Sequence, residues 1–412
     1  MGAKSRVAER IGSGENAPSR ESMEAGRPHA AESSEDDAPM PPISERDVPP
    51  EDELPRRRGV AVAPAPAVIR SGRDAISTEV ALTVFRQMVR TRALEERSIK
   101  MSKSGEAYFW IGGPGEEALN VCLGLQIHKG QGPAYDFLHL HYRSSGILLG
   151  MGMSMLDHIR QLAMTALDPH SRGRNFVGHY AIPEWNVMPV TSVIEVQCVM
   201  APGTALAQKR HGGEGLSLVV SGDAGTAEGD FESCLLWSSR PKNELPVLMV
   251  VANNSYGIST THESQHAIRE IATRGAPHGI RYETVLDGND PVTMWNAVDR
   301  AMRYVRRERK PFILEAMVSR LHGHSSSSGA GRNWEEADCV ALFEQKLLDS
   351  GAIDSDTVRS LKDEAKQEAD AAAVQVAGEP RPTRGDVYRD TYAPSPVDVV
   401  YPEDYTGLPQ RR

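Results

Sequence analysis

Residues Leu216 to Tyr256, LSLVVSGDAGTAEGDFESCLLWSSRPKNELPVLMVVANNSY, decide the fold. Two short apolar runs, Leu216 to Val220 and Val247 to Ala252, have the length and β-branched content of buried parallel strands. Each ends in a polar cluster, Gly222-Asp223-Ala224 after the first and Asn253-Asn254 after the second. Between them Phe231, Cys234, Leu235 and Ser238 recur at helical spacing, so strand, turn, helix and strand make a βαβ unit. Such a unit brings both clusters to the carboxyl edge of one sheet, where open α/β sheets bind ligands.

The residue types at that edge fit a metal and a diphosphate. Asp223 and Asn254 offer hard oxygen donors suited to Mg²⁺, which keeps further positions for phosphate oxygens and water. Gly222 and Gly225 let the backbone approach a ligand, and a helix expected to start near Thr226 points its free N–H groups and positive end at an anion.

GDAGTAEGDF followed by NNSYGIST resembles the thiamine diphosphate motif, in which a GDG opens and an NN closes. The wording is similar to the α subunit of the decarboxylating component of 2-oxo acid dehydrogenase complexes. An ordinary βαβ turn carrying Asp and Asn is the competing reading. The resemblance implies a thiamine diphosphate-binding α/β fold, a mostly parallel sheet with helices on both faces. It also implies Mg²⁺ held by Asp223, Asn254 and the backbone oxygen of Tyr256, with Gly222, Asp223, Ala224, Gly225 and Asn254 around the cofactor.

The chain has 412 residues, 40% hydrophobic and 25% charged, which bounds it to one large or two modest globular domains. A net charge of -10 argues against a nucleic-acid surface. Cys122, Cys198, Cys234 and Cys339 lie far apart, so neither a disulfide framework nor a zinc site is expected. No apolar run approaches the roughly 18 residues that span a bilayer. Residues 1–72 are rich in Pro, Ala, Ser, Glu and Arg without apolar periodicity, a composition expected to stay disordered. Glu9, Glu15 and Glu21 interrupt what would otherwise read as a transit peptide, so a cytoplasmic bacterial protein is expected. The binding domain is expected over 73–345, with a helical segment and extended tail over 346–412.

Further matches extend the resemblance over about Ser77 to Tyr388. Ser77-Thr78-Glu79 reads as a helix cap, with an apolar stripe through about Ile99. The GPGEEAL stretch matches a G-x-E-A segment, with Glu117 at the Glu position. His141, Tyr142, Arg143 and Gly146 match an aromatic-Tyr-Arg-x-x-Gly motif whose Tyr and Arg reach the diphosphate, a role the bidentate guanidinium suits; His139 and His141 are expected in the same cleft. A helix is expected from about Ser154 to Leu167. TSVIEVQCVMAPGTALAQKR places Ser192 and Ile194 on the aminopyrimidine contacts, with Ile194 as the apolar wedge. In VLDGNDPVTMW, Asp290 caps a helix with Pro291 at its first position. In SRLHGHSSSSGAGR the resemblance makes His324 a catalytic acid/base with Ser325 beside it, on a loop expected to be mobile. Ser355 is expected to cap a late helix, and Asp386-Val387-Tyr388 match a terminal D-V-Y.

The chain departs from the pattern at several positions. Val193 replaces a common Pro, Val196 replaces a Thr or Ser of a monovalent-cation site, and Glu195 is unusual beside a cofactor pocket. Ala224 stands for the third residue of GDG and Ser255 for the Gly after NN; either would be strained by about 1 kcal/mol or more where φ must be positive.

The implied reaction is oxidative decarboxylation of a 2-oxo acid, with acyl transfer to a lipoyl group on an acyltransferase. The Glu that activates the cofactor is absent from this chain, so a separate β subunit and an α₂β₂ tetramer are expected. GEEAL, the G-R-x-x-x-x-H-Y loop and ILEAM favour branched-chain acids, while HGHS favours pyruvate or acetoin relatives. A catalytically silent paralogue is the alternative from another class. A nicotinamide enzyme is disfavoured because no GxGxxG follows a strand.

Overall fold

The computed structural model describes residues 68–389. Residues 1–67, most of the expected extension, and 390–412, the end of the tail, lie outside the described residues. The expected boundary at 72 falls inside an antiparallel hairpin of Val68–Ser71 (β1) and Asp74–Ser77 (β2), in which Ile69 pairs with Ile76 and both are buried. Two isolated isoleucines carry too little periodicity to mark strands this short.

Ser77 accepts from the Val80 N–H at 3.2 Å and opens a long helix, Thr78–Ser104 (α1), closed by Gly105 at a φ of 80°. The glycine-rich turn feeds Glu117–Gly124 (α2), every residue of which is buried. Phe137–His139 (β3) and Ser145–Gly150 (α3) follow. Met155–Leu162 (α4) starts where expected, capped by Ser154, but stops short of Leu167, because Met164 turns left-handed at a φ of 53°. Then come Val196–Arg210 (α5), Ser217–Gly222 (β4), Gly229–Ser238 (α6) and Val247–Asn253 (β5).

Tyr256–Gly257 (β6) and Thr260–Thr261 (β7) form a small hairpin beyond the second polar cluster. After Arg281–Val285 (β8), Asp290 caps Pro291–Glu308 (α7) with Pro291 at its first turn. Phe312–Met317 (β9) precedes Cys339–Asp349 (α8) and Ser355–Ala377 (α9). Asp354, not Ser355, caps α9; its carboxylate accepts from Thr357 N–H at 2.7 Å.

The sheet runs β3-β4-β5-β9-β8 with every pair parallel. Strand alternation divides the core between its faces. Leu218, Val220, Leu248, Val250 and Leu314 join the cluster built with α1, α2 and α7. Val219, Met249, Val251 and Ile313 join the one built with α5 and α6. Helices therefore cover both faces, and all carboxyl strand ends point to one edge. The four cysteines are buried and unpaired. Among the described residues no helix is long and apolar enough to cross a membrane.

Candidate active site

Asp223 and Asn254 follow directly on β4 and β5, whose register pairs Gly222 with Ala252, so both polar clusters emerge side by side. Both side chains are buried. Burial raises the Asp223 carboxyl, a shift opposed by a hydrogen bond from Asn254 and by His262. Its Oδ2 has no hydrogen-bond partner and lies 3.8 Å from His262 Nδ1. A buried carboxylate oxygen left open in this way fits a bound cation. Asn254 Oδ1 accepts from Tyr256 N–H at 3.2 Å and its Nδ2 donates to Glu116 Oε1 at 3.2 Å. Among the described residues no three His, Cys, Asp or Glu side chains converge as metal ligands. A cation here would therefore complete its shell from amide, backbone and ligand oxygens, as Mg²⁺ does beside phosphates.

A second cluster faces the first. Arg143 is buried; its Nε donates to Gly112 O at 3.2 Å and its Nη2 to His324 Nδ1 at 2.7 Å. Arginine only donates, so Nδ1 accepts and the neutral imidazole keeps its proton on Nε2. Burial first, then repulsion from Arg143 and Arg320, holds His324 down at about 4. The Tyr142 ring meets His324 edge-on at 6.1 Å and carries the Arg143 guanidinium 5.1 Å from its centroid. His141 faces this cleft, with Nε2 3.9 Å from where a Gly222 Cβ would sit. His139 does not: its Nε2 bonds Thr204 Oγ1 at 2.8 Å, beneath α5.

The loop expected to be mobile is fastened at several points. Ser326 N–H donates to Trp110 O at 2.8 Å, Ile111 bridges Ser325, and Gly323 N–H donates to Gly331 O at 3.2 Å. Ser325 is buried, and its N–H takes Ser328 Oγ at 3.0 Å. Its position closes the loop beside His324.

The helix expected at Thr226 begins later. Ala224–Ala227 is a 3₁₀ turn, drawn tight by Thr226 Oγ1 donating to Asp223 O at 2.7 Å, and α6 starts at Gly229. Ala224 has no positive φ, so it replaces glycine without strain; Ser255 does carry one, at 65°. Ser192 Oγ pairs with His179 Nε2, and Ile194, 37% exposed, lies beside Gly225 at the cleft. Arg320 stacks 4.6 Å from the Tyr256 ring centroid.

Several residues at the site were not legible beforehand. Glu116 directly precedes the predicted Glu117. It is buried against Asn254, and burial raises it to about 7 while Arg143 opposes the shift. Glu117 instead points away from the cleft, pairing with Arg92 Nε at 2.7 Å. Glu315, inside β9, holds Asn253 Nδ2 at 2.8 Å and so fixes the end of β5. His266 Nε2 lies 3.0 Å from Asp223 O. These pairings join residues far apart in the chain, and no local pattern announces them.

Comparison with known proteins matches the same segment. The chain is 28% identical over 297 residues to 2-oxoisovalerate dehydrogenase subunit alpha of Bacillus subtilis, covering 70% of this chain and 88% of that protein. It is 27% identical over 333 residues to the mitochondrial 2-oxoisovalerate dehydrogenase subunit alpha 2 of Arabidopsis thaliana, covering 79% and 69%. It is 26% identical over 325 residues to the pyruvate dehydrogenase E1 component subunit alpha of Bacillus subtilis, covering 77% and 83%. The profile of one family spans residues 85–384, from the first core helix past the last strand end of the cleft; the chain belongs to the dehydrogenase E1 component family.

Proposed function

We propose that this chain is the α subunit of a 2-oxo acid dehydrogenase that decarboxylates its substrate and passes the acyl group to a lipoyl group, with branched-chain acids preferred. The observation that carries the reading is the meeting, at one sheet edge, of an open buried carboxylate at Asp223 with Asn254, Arg143 and a neutral His324.

The family depends on thiamine diphosphate, which supplies, when bound, the electron sink for decarboxylation. The residues present fit it. Asp223, Asn254 and the Tyr256 backbone oxygen would hold Mg²⁺, and Arg143 would donate its remaining N–H groups to the diphosphate. Tyr142 and the Gly222–Gly225 turn would line the same side. Ser192 and Ile194 would meet the ring end, Ile194 with an apolar side chain that is 37% exposed. The neutral His324 would donate a hydrogen bond from its Nε2–H to a developing oxyanion. Ser325 fastens the loop that presents it.

The activating carboxylate would come from a separate β subunit in an α₂β₂ tetramer. Val193, just before α5 and one residue from Ile194, and Val199 in the first turns of α5 are 64% and 45% exposed, apolar side chains that suit a partner chain. A lipoyl-bearing acyltransferase would take the product. The cytoplasm is the proposed location.

The test is reduction of an artificial acceptor dye by this chain co-purified with its β partner, with thiamine diphosphate and Mg²⁺, over a panel of 2-oxo acids. The expected result is cofactor-dependent turnover with 3-methyl-2-oxobutanoate ahead of pyruvate. Pyruvate ranked first would shift the substrate, and no turnover by a folded complex would sink the enzyme reading in favour of a silent paralogue.

A further inference from the structure

Glu195 is a costly residue to keep where it is. It sits at the N-terminus of α5 with a φ of 65°, a conformation that favours glycine. Its side chain is fully buried. Oε2 accepts from Ser221 Oγ at 2.6 Å and from Cys198 Sγ at 3.0 Å. Oε1 has no hydrogen-bond partner. A left-handed backbone, a carboxyl withdrawn from water and an unpaired buried oxygen are three separate penalties at one position, and such coincidences gather at functional sites.

The surroundings say what the side chain holds. Ser221 is the penultimate residue of β4, two before Asp223. Oε1 packs against Gly225, where a Cβ would meet it at 2.1 Å, with Ile194 Cγ2 at 3.1 Å. Glu195 thus touches the turn on both sides of Asp223 and ties it to the α5 terminus that carries Ile194. Burial raises its carboxyl, a shift opposed by the hydrogen bonds from Cys198 and Ser221.

We propose that Glu195 is a positioning residue of the cofactor site: its carboxyl clasps the Ser221–Gly225 turn to the α5 terminus, and the turn binds diphosphate tightly only while that clasp is made. The inference rests on the thiamine diphosphate reading above. The clasp acts through Ser221 and Gly225; Glu195 itself touches neither substrate nor metal.

The experiment measures thiamine diphosphate binding in Mg²⁺ to the complete α/β complex by calorimetry, with thermal unfolding in parallel, for wild type, E195G, E195Q and S221A. E195G removes the clasp and relieves the backbone, so Kd should rise about tenfold or more while the unfolding midpoint holds or rises. E195Q keeps an acceptor oxygen of the same shape and should stay within about threefold of wild type. S221A removes the shorter hydrogen bond and should raise Kd alone, yet add nothing to E195G in the double variant. E195G binding as wild type does, or full additivity of the two changes, would overturn the clasp. If E195G folds poorly, the S221A arm decides alone: an unchanged Kd there overturns the proposal. Failure of wild type itself to bind would instead bring down the cofactor reading, and this inference with it.

Discussion

Arg143 does two things at once, and both can be measured. Its guanidinium is buried in the cleft and charge-bearing hydrogen bonds contribute about 1.5 to 3 kcal/mol each, so R143A should weaken thiamine diphosphate binding roughly ten- to a hundredfold. The same change frees His324. The folded imidazole is held at about 4 against an ordinary 6.5, by burial first and then by Arg143 and Arg320. The unfolded chain therefore binds the proton more readily, and His324 costs stability as pH falls from 6.5 toward 4. Removing Arg143 should move the titration back toward 6.5 in cofactor-free protein, followed by the imidazole NMR shifts of a His324-assigned sample. A titration unmoved in R143A would mean the hydrogen bond between them does not form in solution. The motif residues Tyr142, Arg143, Asp223, Asn254 and His324 were all readable because each sits in a short string of distinctive types. Glu116 and the inward turn of Glu195 were not, since their meaning depends on Asn254 and Ser221, far along the chain.

At the scale of elements, α1, α2 and the start of α8 are joined by one charged network. Arg92 Nε donates to Glu117 at 2.7 Å and its Nη1 to Asp338 at 2.8 Å, and Arg332 Nη2 reaches the same Asp338 oxygen at 2.7 Å. Glu117 also accepts from Gly115 N–H at 2.7 Å, so the network sets the turn that delivers Glu116 to the cleft and anchors the far end of the His324 loop. Breaking a buried pair from one side leaves the other charge uncompensated, and R92A should cost about 3 to 5 kcal/mol, read by urea unfolding. An unchanged midpoint would show that the network is solvated. The cap at Asp290 and the strands β4 and β5 followed from sequence because local chemistry decides them. The end of α4 and the late start of α6 did not, because a left-handed Met164 and a Thr226 hydroxyl bond override the apolar spacing.

The described residues are built on a parallel sheet whose two faces are filled by separate clusters of side chains, leaving one edge for chemistry. The residues proposed for function stand on that edge or on the loops above it, and the exposed valines Val193 and Val199 suit a partner subunit. The parallel pairing of β4 with β5 followed from two buried apolar runs of strand length joined by a helix, whereas the order of the five strands carried no local signal. The hairpin of β1 and β2 escaped notice because two isoleucines carry its whole apolar signal. Thiamine diphosphate is proposed to bind through Mg²⁺ where β4 and β5 end. Calorimetric titration of thiamine diphosphate into the α/β complex, with and without Mg²⁺, for wild type and D223N, tests it most directly. Saturable, Mg²⁺-dependent binding in wild type and its loss in folded D223N is the predicted result; D223N binding with wild-type affinity would contradict it.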